Sequence, residues 1–299
     1  MPAGSLTVRR LEPEQVSVAL DLARDAEHID GTDPFNEQTR LDLASARRSA
    51  FVAETGEAVV AAAVTGDSQL DLVVSPGMRG RGYGSSLLSE LLPDLEADVS
   101  AWSHGDHPAA RALAARHDFE AVRTLLGLRL RDLAASVAGE PVQPADGMRI
   151  SAFDPDRDAS DWLRLNARTF AEHPEQGAVT AADLGERMAE SWFDPQDFLV
   201  ARTADGTMVG YDWLKLEPGS DEGEIYVLGV DPQAAGRGLG RALLDAGLRR
   251  MLVRGRTRAA LYVEGDNERA LPLYRHAGFV DHTVDVQYRR SAPGHSLAG

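Results

Sequence analysis

The sequence predicts a mixed α/β fold, present twice in tandem. Three observations carry that reading. The stretch Leu70 to Leu88 holds an apolar strand, Pro76, glycines at 80, 82 and 84, and an apolar helix. Tyr226 to Leu244 repeats it without a gap, with Pro232 against Pro76 and glycines at 236, 238 and 240. A second block follows in each half. Gly105-Asp106 with Asp118-Phe119 matches Gly265-Asp266 with Gly278-Phe279. Between the halves, residues 139–147 are rich in Pro, Gly and small polar residues, as a linker is. The expected division is therefore an N-terminal domain over 1–138, a linker over 139–147 and a C-terminal domain over 148–299.

The elements follow in order in the second half. Met148–Phe153 reads as a strand, and Asp158–Phe170 and Ala181–Trp192 as helices. Phe198–Thr203 and Met208–Leu216 flank Asp205-Gly206, a hairpin signal. Gly223–Val230 is a strand whose apolar alternation becomes a continuous apolar run. Arg241–Val253 carries apolar residues at helical spacing. Ala259–Val263 is a strand, Asn267–Ala277 a short helix, and His282–Arg289 a closing strand. The first half follows the same order with weaker signals.

Composition narrows the function. The chain has 299 residues, 43% of them hydrophobic and 26% charged, as expected of domains with real cores. The net charge is −16, the wrong sign for a nucleic-acid footprint. No apolar run is long enough to span a bilayer, and the start has no signal-peptide core, so a cytoplasmic protein with no membrane partner is expected. Cysteine is absent, which excludes disulfides and thiolate chemistry. His104-x-x-His107 lacks both zincin spacing and a third ligand, so it reads as a loop pair and no metal is expected. Lys215 is the one lysine among 31 basic residues. It is either a chance survivor or a place where a compact ammonium is needed.

Glycines between a strand and a helix let the backbone approach a ligand, and helix N-terminal amides favour an anion. A phosphate is thus expected on Gly236–Gly240. A Rossmann site would need Gly-x-Gly-x-x-Gly after the first strand, and a P-loop would need Gly-Lys-Ser/Thr. Neither is present. The pattern resembles the GCN5-related N-acetyltransferase family, whose Arg/Gln-x-x-Gly-x-Gly/Ala motif cradles the pyrophosphate of acetyl-CoA. Arg79 to Gly84 fits this motif in full, whereas the second copy has Ala235 at its first position. Within that family the C-terminal half is similar to mycothiol synthase. The similarity runs through His173–Gly177, Trp192–Pro195, Gly223–Pro232, Leu261–Asn267, Leu273-Tyr274 and Val284–Tyr288.

The resemblance implies acetyl transfer from acetyl-CoA to the cysteinyl amine of cysteinyl-glucosaminyl-inositol, a small-molecule thiol precursor. A monomer is expected. The cofactor would lie along Leu72, Val73 and Val74 with Gly80, Arg81, Gly82, Tyr83, Gly84 and Ser85 in the first half. In the second it would lie along Leu228, Gly229 and Val230 with Ala235, Gly236, Arg237, Gly238, Leu239, Gly240 and Arg241. Asn267, Glu268, Arg269, Ala270, Leu271 and Pro272 would flank the pantetheine arm and adenosine, and Asn267 could equally be a helix cap.

Glu224 is the implied general base and Tyr274 the implied general acid. By residue type alone they could equally be a solvent-facing strand residue and a buried aromatic. The aligned residues in the first half are Ser68 and Ala114, so only the C-terminal domain is expected to be catalytic. Glu37, Glu175, Lys215 and Tyr262 match acceptor-binding positions, with Glu224 beside them, which implies an acceptor between the two halves. Asp212, Leu214 and Pro272 depart from the family pattern and bear on acceptor preference. A different small amine or a protein N-terminus is the alternative acceptor.

Overall fold

A computed structural model describes residues 6–56, 58–95, 98–144, 147–171 and 176–291. The chain forms two compact units, one of residues 1–125 with 283–299, the other of residues 126–282. In chain order the strands and helices are β1 (Leu6–Arg10), α1 (Ser17–Asp30), α2 (Glu37–Ala44), β2 (Ser49–Thr55), β3 (Ala58–Gly66), β4 (Gln69–Val74), α3 (Tyr83–Leu91), β5 (Val99–Ser103), α4 (Pro108–Arg116), β6 (Glu120–Leu130), α5 (Leu133–Ser136), β7 (Arg149–Ala152), α6 (Pro155–Thr169), α7 (Ala181–Met188), β8 (Phe198–Arg202), β9 (Met208–Lys215), β10 (Glu222–Val230), α8 (Leu239–Val253), β11 (Arg258–Glu264), α9 (Ala270–His276) and β12 (Val280–Arg290). The mixed α/β order expected of both halves is present.

In the first unit the strand order is β1-β2-β3-β4-β5-β12. Neighbours are antiparallel except the parallel pair β4–β5. In the second the order is β7-β8-β9-β10-β11-β6, where β10 and β11 run parallel. Each sheet therefore takes its last strand from the other half of the sequence. Leu128 and Leu130 of β6 lie in the core with Leu214, Leu248 and Leu261. Tyr288 of β12 packs with Leu70, Leu87 and Phe119. A cut at 139–147 does not follow these units. The physical reason lies in the duplication: both final strands carry the same local pattern, and strand pairing is a long-range choice that local pattern does not specify.

The 139–147 segment is without helix or strand where described, yet it is held. Arg249 donates to the Gly139 carbonyl at 2.7 Å, and the Val142 N–H donates to Asp245 at 3.0 Å. All four helices expected in the second half differ from expectation at their ends: α6 begins three residues early at Pro155 and ends one early at Thr169, and α7 ends four residues early at Met188. The helix α8 begins at Leu239, two residues early, because Gly238 takes a left-handed conformation (φ 74°) and serves as its N-cap. The helix α9 begins only at Ala270, with the Asn267 side chain accepting from the Ala270 N–H at 2.9 Å. Asn267 therefore does the capping work that its residue type suggests.

Candidate active site

In the second unit, parallel pairing of β10 with β11 runs only from Glu222↔Arg258 to Ile225↔Leu261. Both strands continue past that point without further register partners, so the sheet opens between them. A bulge in β10 lies at the same level. Its register on β9 jumps between Ile225 and Val227, leaving Tyr226 as the extra residue. Tyr226 and Val227 consequently both face the aromatic cluster of Trp162, Trp192, Phe198 and Trp213. Leu228 turns to the opposite face, against Tyr274 and Leu248.

The glycine loop closes one end of this opening. Gly236 and Gly238 have φ of 79° and 74°, a conformation that other residues resist. No side chain caps the first amides of α8, so its N-terminus presents free N–H donors. Gly229 is required for another reason: a Cβ there would stand 2.6 Å from Cζ of Tyr211. The ring of Tyr211 is fixed by its hydroxyl, which donates to Asn166 at 2.7 Å. Asn166 in turn donates to the Gln176 carbonyl, which pins the chain directly after residues 172–175. Glu175 itself lies outside the described residues. These features fit a diphosphate carrier such as acetyl-CoA.

Three of the expected acceptor residues come together on one face. Ala259, Leu261 and Val263 of β11 and Leu214 and Leu216 enter the core beneath α8. Their alternate neighbours, Tyr262 and Lys215, and Glu224 from β10 therefore point the other way. Glu224 lies opposite Lys215 in the antiparallel register and opposite Ala260 in the parallel one. The Lys215 ammonium sits 3.2 Å from Glu217 and 5.6 Å from the centre of the Trp192 ring. Tyr262 is 56% exposed. Burial raises the Glu224 pKa, the Lys215 charge pulls it down, and Glu217 and Glu222 push it up, with a net upward shift. A carboxylate poised above its ordinary value is better matched to an amine proton. Glu37 opens α2 in the first unit, behind its N-cap Asn36.

Tyr274 approaches from the other face. It is 6% exposed, edge-on to Phe279 at 6.0 Å, and shares the core cluster that includes Leu228 and Leu271. Burial, with a smaller contribution from the Asp212 carboxyl, raises its pKa well above that of an ordinary phenol, so the hydroxyl keeps its proton. Glu224 and Tyr274 thus stand on opposite faces of the sheet, beside the opening between β10 and β11.

Asp212 is the residue that sequence reasoning underestimated. It is fully buried on β9, neither carboxyl oxygen has a hydrogen-bond partner among the described residues, and burial raises its pKa far above the ordinary range. Its carboxyl occupies the space that a Cβ on Gly247 of α8 would need. An aspartate inside the apolar run Met208–Leu214 was the available signal. Because the folded pKa is raised, protonation favours folding. The contribution of Asp212 to stability is greatest below about pH 3.9, the unfolded value, and declines as pH climbs toward the folded value. Asp212→Asn should flatten this dependence and exceed wild type at pH 8 by about 1–3 kcal/mol. Urea titrations at pH 5 and pH 8 check it; equal pH slopes would show that the carboxyl is not buried in this way.

The first unit repeats the opening without a carboxylate or a phenol at the matching positions. The pairing of β4 with β5 is confined to Gln69↔Ser100 and Leu70↔Ala101, yet β4 has no bulge against β3. Because β4 lacks the bulge, its register puts Gln69, not the Ser68 of the gapless alignment, where the second unit has Glu224, and Ala114 aligns with Tyr274. Gly80 and Gly82 are left-handed (φ 73° and 86°), and Gly82 caps α3 without side-chain help. A cavity of about 470 Å³ lies there, lined by Leu72, Val73, Val74, Gly80, Gly82, Tyr83, Gly84 and Ser85. Arg79 is held at its rim by Asp30 at 2.6 Å and the Val74 carbonyl at 3.2 Å. No group of three or more potential metal ligands occurs among the described residues. Among the same residues no helix is long and apolar enough to cross a membrane.

Comparison with known proteins agrees with this geometry. The model of the acetyltransferase (GNAT) family matches residues 17–119 and again 160–279. The chain is 49% identical to the mycothiol acetyltransferase of Clavibacter michiganensis subsp. michiganensis, over 95% of each chain. It is 40% identical to that of Streptomyces avermitilis, over 95% of this chain and 94% of the relative. Among solved structures, a GCN5-related N-acetyltransferase from Sphaerobacter thermophilus superposes with a TM-score of 0.67 at 22% identity, covering 98% of each chain. A tandem GNAT protein from the clavulanic acid biosynthesis pathway gives 0.66 at 19% identity, over 98% of this chain and 100% of its own. These two share the fold. The chain, with its doubled sheet opening and doubled glycine loop, belongs to the acetyltransferase (GNAT) family and, within it, to the mycothiol acetyltransferases.

Proposed function

We propose that the chain transfers an acetyl group from acetyl-CoA to the cysteinyl amine of cysteinyl-glucosaminyl-inositol, and that the second unit performs the transfer. The observation that carries the placement is the pairing of Glu224 and Tyr274 across the opening of that unit, which the first unit lacks. The acceptor class follows from relatives that are 40–50% identical along almost the whole chain and are named mycothiol acetyltransferase.

The amides at the start of α8 hold the diphosphate, and the β10 backbone from Leu228 to Val230 orients the pantetheine arm and thioester. Glu224 takes the proton of the amine, directly or through water. The amine nitrogen bonds to the thioester carbonyl carbon as the carbon–sulfur bond breaks. Tyr274 gives its proton to the departing sulfur. Lys215 and Tyr262, on the Glu224 face, are placed to meet the hydroxyls and carbonyl of a sugar-bearing acceptor. Asn267 to Pro272 border the carrier arm. The first unit holds a second acetyl-CoA through Leu72–Val74 and the Gly80–Ser85 loop, without the acid and base needed to react it.

The test is a panel of amines with the purified full chain and acetyl-CoA. Cysteinyl-glucosaminyl-inositol should be acetylated in strong preference to free cysteine, glucosamine and N-terminal peptides. Activity confined to another amine would move the chain to a different acceptor.

A further inference from the structure

The cavity of the first unit contains a polar pair that the proposed reaction does not use. His104 follows β5 and lines this cavity. Its Nδ1 is 3.0 Å from Oδ2 of Asp285 on β12, and the other Asp285 oxygen accepts the Gly105 N–H at 2.9 Å. The carboxylate is thus clamped, and it fixes the ring. The Trp102 ring lies nearly parallel to the imidazole, 6.2 Å away. The remaining ring nitrogen, Nε2, is buried and has no hydrogen-bond partner among the described residues. A buried polar atom without a partner calls for an explanation, and a ligand in this cavity would supply one. The second unit has no counterpart: the aligned residues are Glu264 for His104 and Leu125 for Asp285.

We propose that His104 recognises the acyl-CoA bound in the first unit, donating from a protonated Nε2 to a carbonyl oxygen of the ligand arm, so that binding there takes up a proton. This rests on the reading that the first unit holds acetyl-CoA.

The surrounding charges favour this protonation state. Burial opposes a charged ring, but the Asp285 hydrogen bond and charge, with Asp71 of β4 and Asp33 beyond α1, outweigh it and raise the His104 pKa. Asp71 is paired with Arg48 at 2.7 Å, and Asp33 with Arg40. On the loop side His107 faces Arg79, which is bound to Asp30; Asp106 is bound to Arg111. Arg116 of α4 also lines the cavity, and Arg123 of β6 lies over Trp102. An anionic carrier entering this cavity adds negative charge and pushes the equilibrium further toward the imidazolium. A group held protonated by the ligand makes affinity greatest below its free pKa and weaker as pH rises through the bound value.

The test uses the full chain carrying Gly238→Asp, which sets a carboxylate against the phosphates of the second unit and leaves the first unit as the remaining site. Acetyl-CoA binding is measured by calorimetry in two buffers of different ionisation heat. The expected result is net proton uptake near neutral pH, with Kd rising roughly tenfold between pH 6.5 and 9, the worth of one charge-assisted hydrogen bond. His104→Gln should abolish the extra uptake and the pH dependence. Asp285→Asn should move the dependence to lower pH while keeping the ring, a shift that simple loss of packing would not produce. Binding that is identical in the His104→Gln variant, with unchanged proton uptake, would overturn the proposal and leave acetyl-CoA in the first unit. Loss of all binding with Gly238→Asp, against a single site in the unmodified chain, would overturn the underlying reading as well.

Discussion

Glu224→Gln should lower kcat by roughly 10²–10⁴-fold, the range for loss of a positioned general base, while the Kd for acetyl-CoA stays unchanged. The glutamine keeps the shape and the half-buried position but cannot accept the amine proton. The carboxylate works only when ionised, and burial raises its pKa above the ordinary value. Wild-type activity should therefore climb as pH rises through that raised value and then level off. The variant should lose that limb and follow only the acceptor amine, which for an ordinary α-amine titrates at about 7.7–8.0. Steady-state rates from pH 5 to 9, with acetyl-CoA binding measured separately, decide it. Near-normal turnover in the variant would remove Glu224 from the reaction.

Tyr274→Phe should reduce kcat by roughly 10²-fold or more, again with acetyl-CoA binding intact, because one hydroxyl is lost from the departing sulfur. The ring stays packed on Phe279, so the fold should hold. The pH behaviour separates this residue from Glu224. Burial lifts the phenol beyond the range in which the enzyme is assayed, so it keeps its proton throughout. Its loss should lower the rate by the same factor at every pH, leaving the rising limb of Glu224 in place. A variant whose deficit vanished at low pH would contradict a proton donor at this position.

Much of this molecule is legible in its residues, and the part that is not has physical causes. The strand–glycine loop–helix unit shows in the sequence because glycine, proline and apolar periodicity act locally, and its duplication doubles the signal. Lys215, Glu224 and Tyr262 could be matched to family positions, and alternation along β9, β10 and β11 then brings them to one face. The bulge at Tyr226 coincides with the change of Gly223–Val230 from alternation to a continuous apolar run, but a strand buried on both faces gives the same run, so the sequence did not distinguish the two. Asp285 lay within a recognised motif yet had no role until a fold put it beside His104, some 180 residues away. His104 itself looked like half of a loop pair with His107, which proved to cap α4. Such pairings depend on which strand enters which sheet, and a duplicated chain offers two nearly equivalent choices.

The crossing of β6 and β12 into each other's sheets constrains how this protein can be dissected. Severing the chain near residue 143 would yield two fragments, each missing a strand that it needs and carrying one suited to its sibling. Produced alone, either fragment would present a raw sheet edge and tend to self-associate. Produced together, the two should reconstitute, so this gene is better suited to fragment complementation than to separate study of its halves.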